Sequence, residues 1–273
     1  NMADTFMLGY VSQTAMSASS LANQFTVVLF CLYYGLSIGT SVLCAQYFGK
    51  GDKQTVEKIL GMAEFLSIII SLVFFAISFT FPDVIMKIFT NSTETITVGT
   101  RYLRVISFSF MFMGFSQVFM SAMRSIGKIA LPSITYVVSL CVNVLCNATF
   151  IFGLFGLPKL GVTGVALGTV IARIVEVLIC LIYSFVSSDI GFRIRYLFNK
   201  NAVLLRDFLK IAAPSVINDV AWSLASSTFT AILGHIGDDM IAANACKCGS
   251  HCLPRIFKCD NDHNKSGAWS ESP

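Results

Sequence analysis

The 273 residues are 55% hydrophobic and only 12% charged, with a mean hydropathy of +0.73, a balance that excludes an ordinary water-soluble globular domain. The net charge of +4 is small, and its bearers sit in short loops between apolar runs, where they set orientation across a membrane and do not imply a nucleic-acid partner. The apolar runs reach the ~20 residues that an α-helix needs to cross about 30 Å of hydrocarbon, so the expected fold class is all-α, a polytopic transmembrane helix bundle.

In chain order, Asn1–Tyr10 ("NMADTFMLGY") is apolar but too short to cross, and reads as the end of a span whose beginning is absent. The chain opens on Asn1, and no cleavable signal precedes the first apolar run. Further spans are predicted at about Leu21–Tyr47, Ile59–Phe81, Leu103–Met123, Leu131–Phe155, Val162–Val186 and Phe208–Leu233, making seven with the clipped one. Alternate loops differ in charge. One set carries ten basic residues: Lys50, Lys53, Lys58, Arg124, Lys128, Arg193, Arg195, Lys200, Arg206 and Lys210. The other set carries four, Lys87, Arg101, Arg104 and Lys159, so the first set is expected on the cytoplasmic side, with the absent amino terminus.

Gln46, Gly49, Gly51 and Asp52 form a tight exit from the second span and read as a structural turn. Their Gly-Lys-Gly-Asp lacks the full phosphate-loop pattern, so nothing indicates ATP. Pro82, Pro132 and Pro214 fall at predicted span ends. Cys31, Cys44, Cys141, Cys146 and Cys180 lie inside spans, where a thiol behaves as a small hydrophobe. The 24 phenylalanines are expected mainly to face lipid or pack, with a minority lining a substrate chamber.

An ionised carboxylate at mid-membrane costs about 2.5–3.5 kcal/mol on insertion scales and needs a partner or a purpose. Asp4, Glu176 and Asp219 are the carboxylates singled out within or beside spans. Asp4 is the leading candidate for a cation-coupling site, since a carboxylate in a low-dielectric cavity can exchange a proton for a cation. Asn143 and Asn147, four apart, share a helix face and offer amide oxygens or donors, and Thr169 adds a hydroxyl. The competing reading of the amides and hydroxyl is hydrogen-bonded glue between helices. Arg173 and Glu176, three apart, are expected as a structural ion pair, and Asp219 in the last span is a candidate second acidic site.

An internal echo joins "LGYVSQTAMSASS" from Leu8 to "LGHIGDDMIAANA" from Leu233, 225 residues later. Six spans separate the two points, as expected of parallel repeats related by an axis along the membrane normal.

Four segments in order, "NMADTFMLG", "SIGTSVLCAQYFGKGD", "GLPKLGVTGVALGT" and "APSVINDVAWSLASSTFTAILGHIG", resemble the multidrug and toxic compound extrusion (MATE) family, and the likeness runs from Asn1 to about Ala245. The resemblance implies a twelve-helix exporter of two six-helix lobes, driven by inward Na⁺ or H⁺. It also implies a cation site of the amino-terminal lobe at positions matching Asp4, Asn143, Asn147 and Thr169, and an acidic role for the span of Asp219. The domain division expected is residues 1–186 as the amino-terminal lobe, 187–207 as a cytoplasmic linker and 208–245 as the helix opening the second lobe.

Residues 246–273 break the pattern. Cys246, Cys248, Cys252 and Cys259 with His251 and His263 lack the paired spacing of a zinc site, and the segment reads as frame-shifted or disordered, with no metal expected. The function expected is a cation-coupled antiporter exporting organic, in part cationic, compounds across a bacterial cytoplasmic membrane. Its partners are the bilayer, the small substrates and the absent second lobe, and it has no cofactor beyond the coupling ion. Two alternatives stay open: a lipid-linked oligosaccharide flippase of similar fold, and a fragment that does not work without its second lobe. An enzyme is not expected, because His235 is the only histidine outside the tail and no acid–base cluster accompanies it.

Overall fold

A computed structural model describes residues 4, 7, 8, 12–152, 161–186, 196 and 202–236. These form helices only: α1 (Gln13–Gly49), α2 (Lys53–Thr80), α3 (Pro82–Phe89), α4 (Thr93–Ser125), α5 (Ala130–Phe152), α6 (Val162–Val186) and α7 (Ala202–Ile236).

Local chemistry explains the boundaries. Ser12 caps α1 by accepting the Ala15 N–H at 3.0 Å, so the helix begins eight residues ahead of the predicted Leu21. The chain leaves α1 through Gly51 at φ 79°, a left-handed conformation that suits glycine. Asp52 then caps α2, accepting from the Thr55 amide at 3.0 Å and its hydroxyl at 2.6 Å. Those two bonds hold the Asp52 carboxyl below the usual carboxylate range. Pro82 sits in the first turn of α3, a short helix that the apolar pattern did not announce. Ser92 caps α4, which starts ten residues before the predicted Leu103 and so takes in Arg101 and Arg104. α6 has the predicted bounds. Pro214 lies inside α7 and not at its end, since α7 begins at Ala202, well ahead of the predicted Phe208.

Five of these helices, all but α3 and α7, are long and apolar enough to cross a membrane. α7 has the length but not the composition, because Asn218, Asp219 and the serines and threonines from Ser223 to Thr230 lower its hydropathy. The outer surface is apolar: Leu145, Phe185, Val137 and Ile182 are 60–81% exposed, as expected where lipid or further helices cover them. The interior is rich in small polar side chains such as Ser67, Ser71, Ser78, Thr40, Ser107 and Ser116, the composition that lets membrane helices approach and bond across their faces. This is a multi-pass membrane protein.

α4 is the hub, touching α1, α2, α3, α5 and α6. One apolar cluster joins Leu36–Cys44 of α1, Val56–Ala63 of α2, Val118–Met123 of α4 and Phe208 of α7. A second, toward α3, joins Leu21–Tyr33 of α1 with Tyr102–Met113 of α4 and Met86. α7 lies along α1, where Gly35 and Gly39 let Val216, Ala212 and Phe208 come within contact. The predicted linker and residues 153–160 between α5 and α6 fall largely outside the described residues, as do the second half of the internal echo and the cysteine-rich tail.

Candidate functional site

α5 and α6 pack as neighbours, and their facing polar residues meet the amino-terminal segment. Asn143 and Asn147 project from one face of α5, Thr169 faces them from α6, and Asp4 completes the group; their exposures are 2%, 0%, 7% and 3%. Asn147 Nδ2 donates to Asp4 Oδ1 at 2.5 Å and to Asn143 Oδ1 at 3.4 Å. Asn143 Nδ2 donates to Thr169 Oγ1 at 3.3 Å, and that hydroxyl donates to Val165 O at 3.1 Å. The four residues named from the sequence therefore form one continuous chain of hydrogen bonds.

Two further features mark this chain. Asn147 Oδ1 is buried and has no hydrogen-bond partner, an uncommon and costly condition for an amide oxygen. Room for that oxygen depends on Gly168 of α6, where an added Cβ would stand 2.3 Å from it. With the Asp4 carboxylate, the amide oxygens and the Thr169 hydroxyl, the group presents hard oxygen donors, the kind that alkali and alkaline-earth cations prefer. One turn from Asp4, Asn147 and Thr169, Leu8, Ile151 and Val165 form an apolar cluster with Ala15. Tyr102 of α4, fully buried, lies within electrostatic reach of Asp4 and is hydrogen-bonded to the Asn23 side chain.

The remaining sequence candidates lie elsewhere. Arg173 Nη1 meets Glu176 Oε2 at 2.6 Å, with Glu176 fully buried and Arg173 one-fifth exposed. Asp219 is half-buried on α7 against α1, near Cys31 and Ser223, with its Oδ2 unpartnered; it does not join the Asp4 chain. Cys31, Cys44, Cys141, Cys146 and Cys180 are free thiols. Among the described residues no cluster of three His, Cys, Asp or Glu side chains could hold a metal.

Sequence reasoning passed over Glu64. It lies inside the predicted span Ile59–Phe81 and is fully buried, yet the surrounding run "LGMAEFLSIII" is so apolar that one carboxylate hardly alters it. The rule applied to Asp4, Glu176 and Asp219 would have found it.

The MatE family profile matches residues 1–149. "Probable multidrug resistance protein NorM" of Thermotoga maritima is 28% identical over 244 residues, covering 89% of this chain and 52% of that protein. "Multidrug export protein MepA" of Staphylococcus aureus is 24% identical over 243 residues, covering 87% and 52%. The chain thus spans about half the length of the curated relatives it matches. Among solved structures, an inward-facing multidrug resistance MATE transporter superposes with a TM-score of 0.80 at 21% identity, covering 90% of this chain and 55% of that one. An outward-facing one gives 0.72 at 19%, covering 92% and 60%. At these identities the structural likeness speaks for the fold.

Proposed function

The chain belongs to the MatE family, and on that premise we propose that it is the amino-terminal lobe, with the first helix of the second, of a cation-coupled exporter of organic compounds in a bacterial cytoplasmic membrane. The observation that carries the coupling is the buried oxygen set of Asp4, Asn143, Asn147 and Thr169, with Asn147 Oδ1 unpartnered. Sodium or a proton neutralises Asp4, and the neutralised and charged forms favour different arrangements of the two lobes. A ligand shifts such an equilibrium only by its differential affinity for the two arrangements. A carboxylate that must be neutral to sit in hydrocarbon supplies that difference, because its uncompensated charge is costly in the arrangement that excludes water. Export follows when the substrate binds the arrangement that the cation disfavours, so that each displaces the other. The printed names of the relatives, multidrug resistance and multidrug export proteins, support small organic substrates.

A lipid-linked oligosaccharide flippase would call for free cationic groups inside the bundle. Of the arginines in the five apolar helices, Arg101, Arg104 and Arg124 are exposed and Arg173 is committed to Glu176, which favours the exporter.

The test is accumulation of a fluorescent cationic dye in proteoliposomes under an imposed Na⁺ gradient and, separately, a pH gradient. One gradient is expected to drive dye movement, and D4N to abolish the drive. Dye movement indifferent to both gradients would sink the proposal.

A further inference from the structure

We propose that Glu64 is a proton-binding site of this lobe, set in a polar stripe on the buried face of α2 and reached from the lysine-bearing end by way of Glu57. Glu57, Glu64, Ser71 and Ser78 recur every seven residues on α2, with Ser67 between, and all five are buried. Seven residues make two turns, about 10 Å of axis, so these groups line one face. Ser67 Oγ donates to Glu64 O at 3.0 Å and stands 3.3 Å from Glu64 Oε2. Ser71 Oγ donates to Ser67 O at 2.7 Å. The Tyr33 hydroxyl, from α1, lies 2.6 Å from Ser71 Oγ and donates to Phe110 O at 3.2 Å.

Glu64 Oε1 has no hydrogen-bond partner although the side chain is wholly buried. Its surroundings supply no counter-ion among the described residues. α6 brings Cys180 within electrostatic reach of both Glu176 and Glu64, and the Glu176 charge is taken by Arg173. α1 contributes Cys44, with Tyr33 acting through Ser71, Tyr196 packs on Gly61 one turn before Glu64, and α4 shares this apolar cluster through Val118, Phe119 and Ala122. A bare carboxylate in such a setting is prohibitively costly, while the neutral acid is not. The group is therefore carried with a proton, and Glu57 stands two turns nearer the Lys53 end of α2 as a second carboxyl on the way to bulk water. Nothing in this inference rests on the Asp4 group, which lies between the amino-terminal segment, α5 and α6.

Dicyclohexylcarbodiimide couples to protonated carboxyl groups in apolar surroundings, and mass spectrometry of the α2 peptide locates the adduct. Applied to the unsubstituted protein in proteoliposomes, it is expected to label Glu64. Above the midpoint of Glu64 the rate should fall about tenfold per pH unit. E64Q removes the adduct, D4N leaves it unchanged, and E57Q slows its pH response while thermal unfolding shows the variant folded. No adduct at Glu64 at any pH overturns the proposal. So does a labelling rate that ignores pH throughout, which would make Glu64 a permanently protonated packing group. A response untouched by E57Q overturns the route along the stripe. Because the adduct is read on the unsubstituted protein, the test does not depend on E64Q folding.

Discussion

Gly168→Ala separates a functional site from a structural one. A Cβ at 168 would stand 2.3 Å from Asn147 Oδ1 and 3.3 Å from Cys146 Cβ, so something must yield, and the atom free to yield is the tip of the Asn147 amide. Turning that amide away withdraws Nδ2 from Asp4, 2.5 Å off, and from Asn143, 3.4 Å off. A hydrogen bond to a charged group contributes about 1.5–3 kcal/mol, which corresponds to roughly tenfold to hundredfold in an equilibrium constant. The fold loses little, because alanine suits a helix interior better than glycine by about 0.5–1 kcal/mol, and this offsets part of the strain. The expected result is a cation half-saturation for dye export displaced by about one to two orders of magnitude, upward for Na⁺, which loses the amide oxygen as a ligand, and downward for a proton, because ionised Asp4 loses a hydrogen bond, with a nearly unchanged unfolding midpoint. Gly49→Ala, which meets nothing within 4 Å, is the control and should change neither. A G168A protein with the ion dependence of the unsubstituted protein would refute the assignment of Asn147 to the site.

Gly35→Ala should act in the opposite sense, on stability. Its Cβ would meet Val216 Cγ2 at 2.2 Å and Val216 backbone atoms at 3.0 Å, and since the backbone cannot swing aside, α1 and α7 must part. Overpacking of this kind costs about 1–3 kcal/mol, read as a lowered unfolding midpoint in detergent; an unchanged midpoint would count against the seam. Tyr33→Phe removes the bonds to Ser71 and Phe110 O and should cost about 1–2 kcal/mol by denaturant titration. Arg173→Met leaves the buried Glu176 uncompensated and should cost about 3–5 kcal/mol, less whatever the partly exposed arginine loses to screening, and Glu176→Gln in the same chain should recover most of it. Asp52, whose carboxyl is held low by Thr55, adds stability that is fully present above the ordinary aspartate range and is lost as pH falls through its lowered native value. Asp52→Asn keeps a cap but no titrating group, so its unfolding midpoint should flatten against pH in the acid limb where that of the unsubstituted protein bends downward.

Legibility in the sequence followed the contrast between a residue and its neighbours. α6 was bounded correctly because an apolar run of 25 residues follows Gly161, which turns at φ 55°. α1 was started late because Gln13–Ser20 is polar and small enough to read as loop, whereas Ser12 caps it and Ala15, Ser17 and Ala18 are buried there. Arg101 and Arg104 similarly hid the first turns of α4, whose opening Thr93–Thr100 lies outside the strongly apolar stretch. At the site, Asn143 and Asn147 were legible through their spacing and Thr169 through the family resemblance. That they share one hydrogen-bond chain with Asp4, and that Gly168 makes room for it, depends on how α6 is rotated against α5. No periodicity in one helix encodes its rotation against another.

α7 shows why the polar side of the bundle has to be read together with its neighbour. Among its residues Ser223, Ser227 and Thr230 are buried at 0%, 8% and 3% exposure, although the helix as a whole is not apolar enough to count as a span. Such a face survives in hydrocarbon only where another helix covers it, and α1 does so through Gly35 and Gly39, with Gln24 within 3.5 Å of Ser227. Near the start of the same α1, Ala15 packs in an apolar cluster with Leu8, Ile151 and Val165. From Ala15 to Gly35 is 20 residues of continuous helix, about 30 Å at 1.5 Å per residue. The two carboxylates, Asp4 and Asp219, share no contact, but one unbroken helix packs in the apolar cluster of Leu8 at its start and along the seam that holds Asp219 further on.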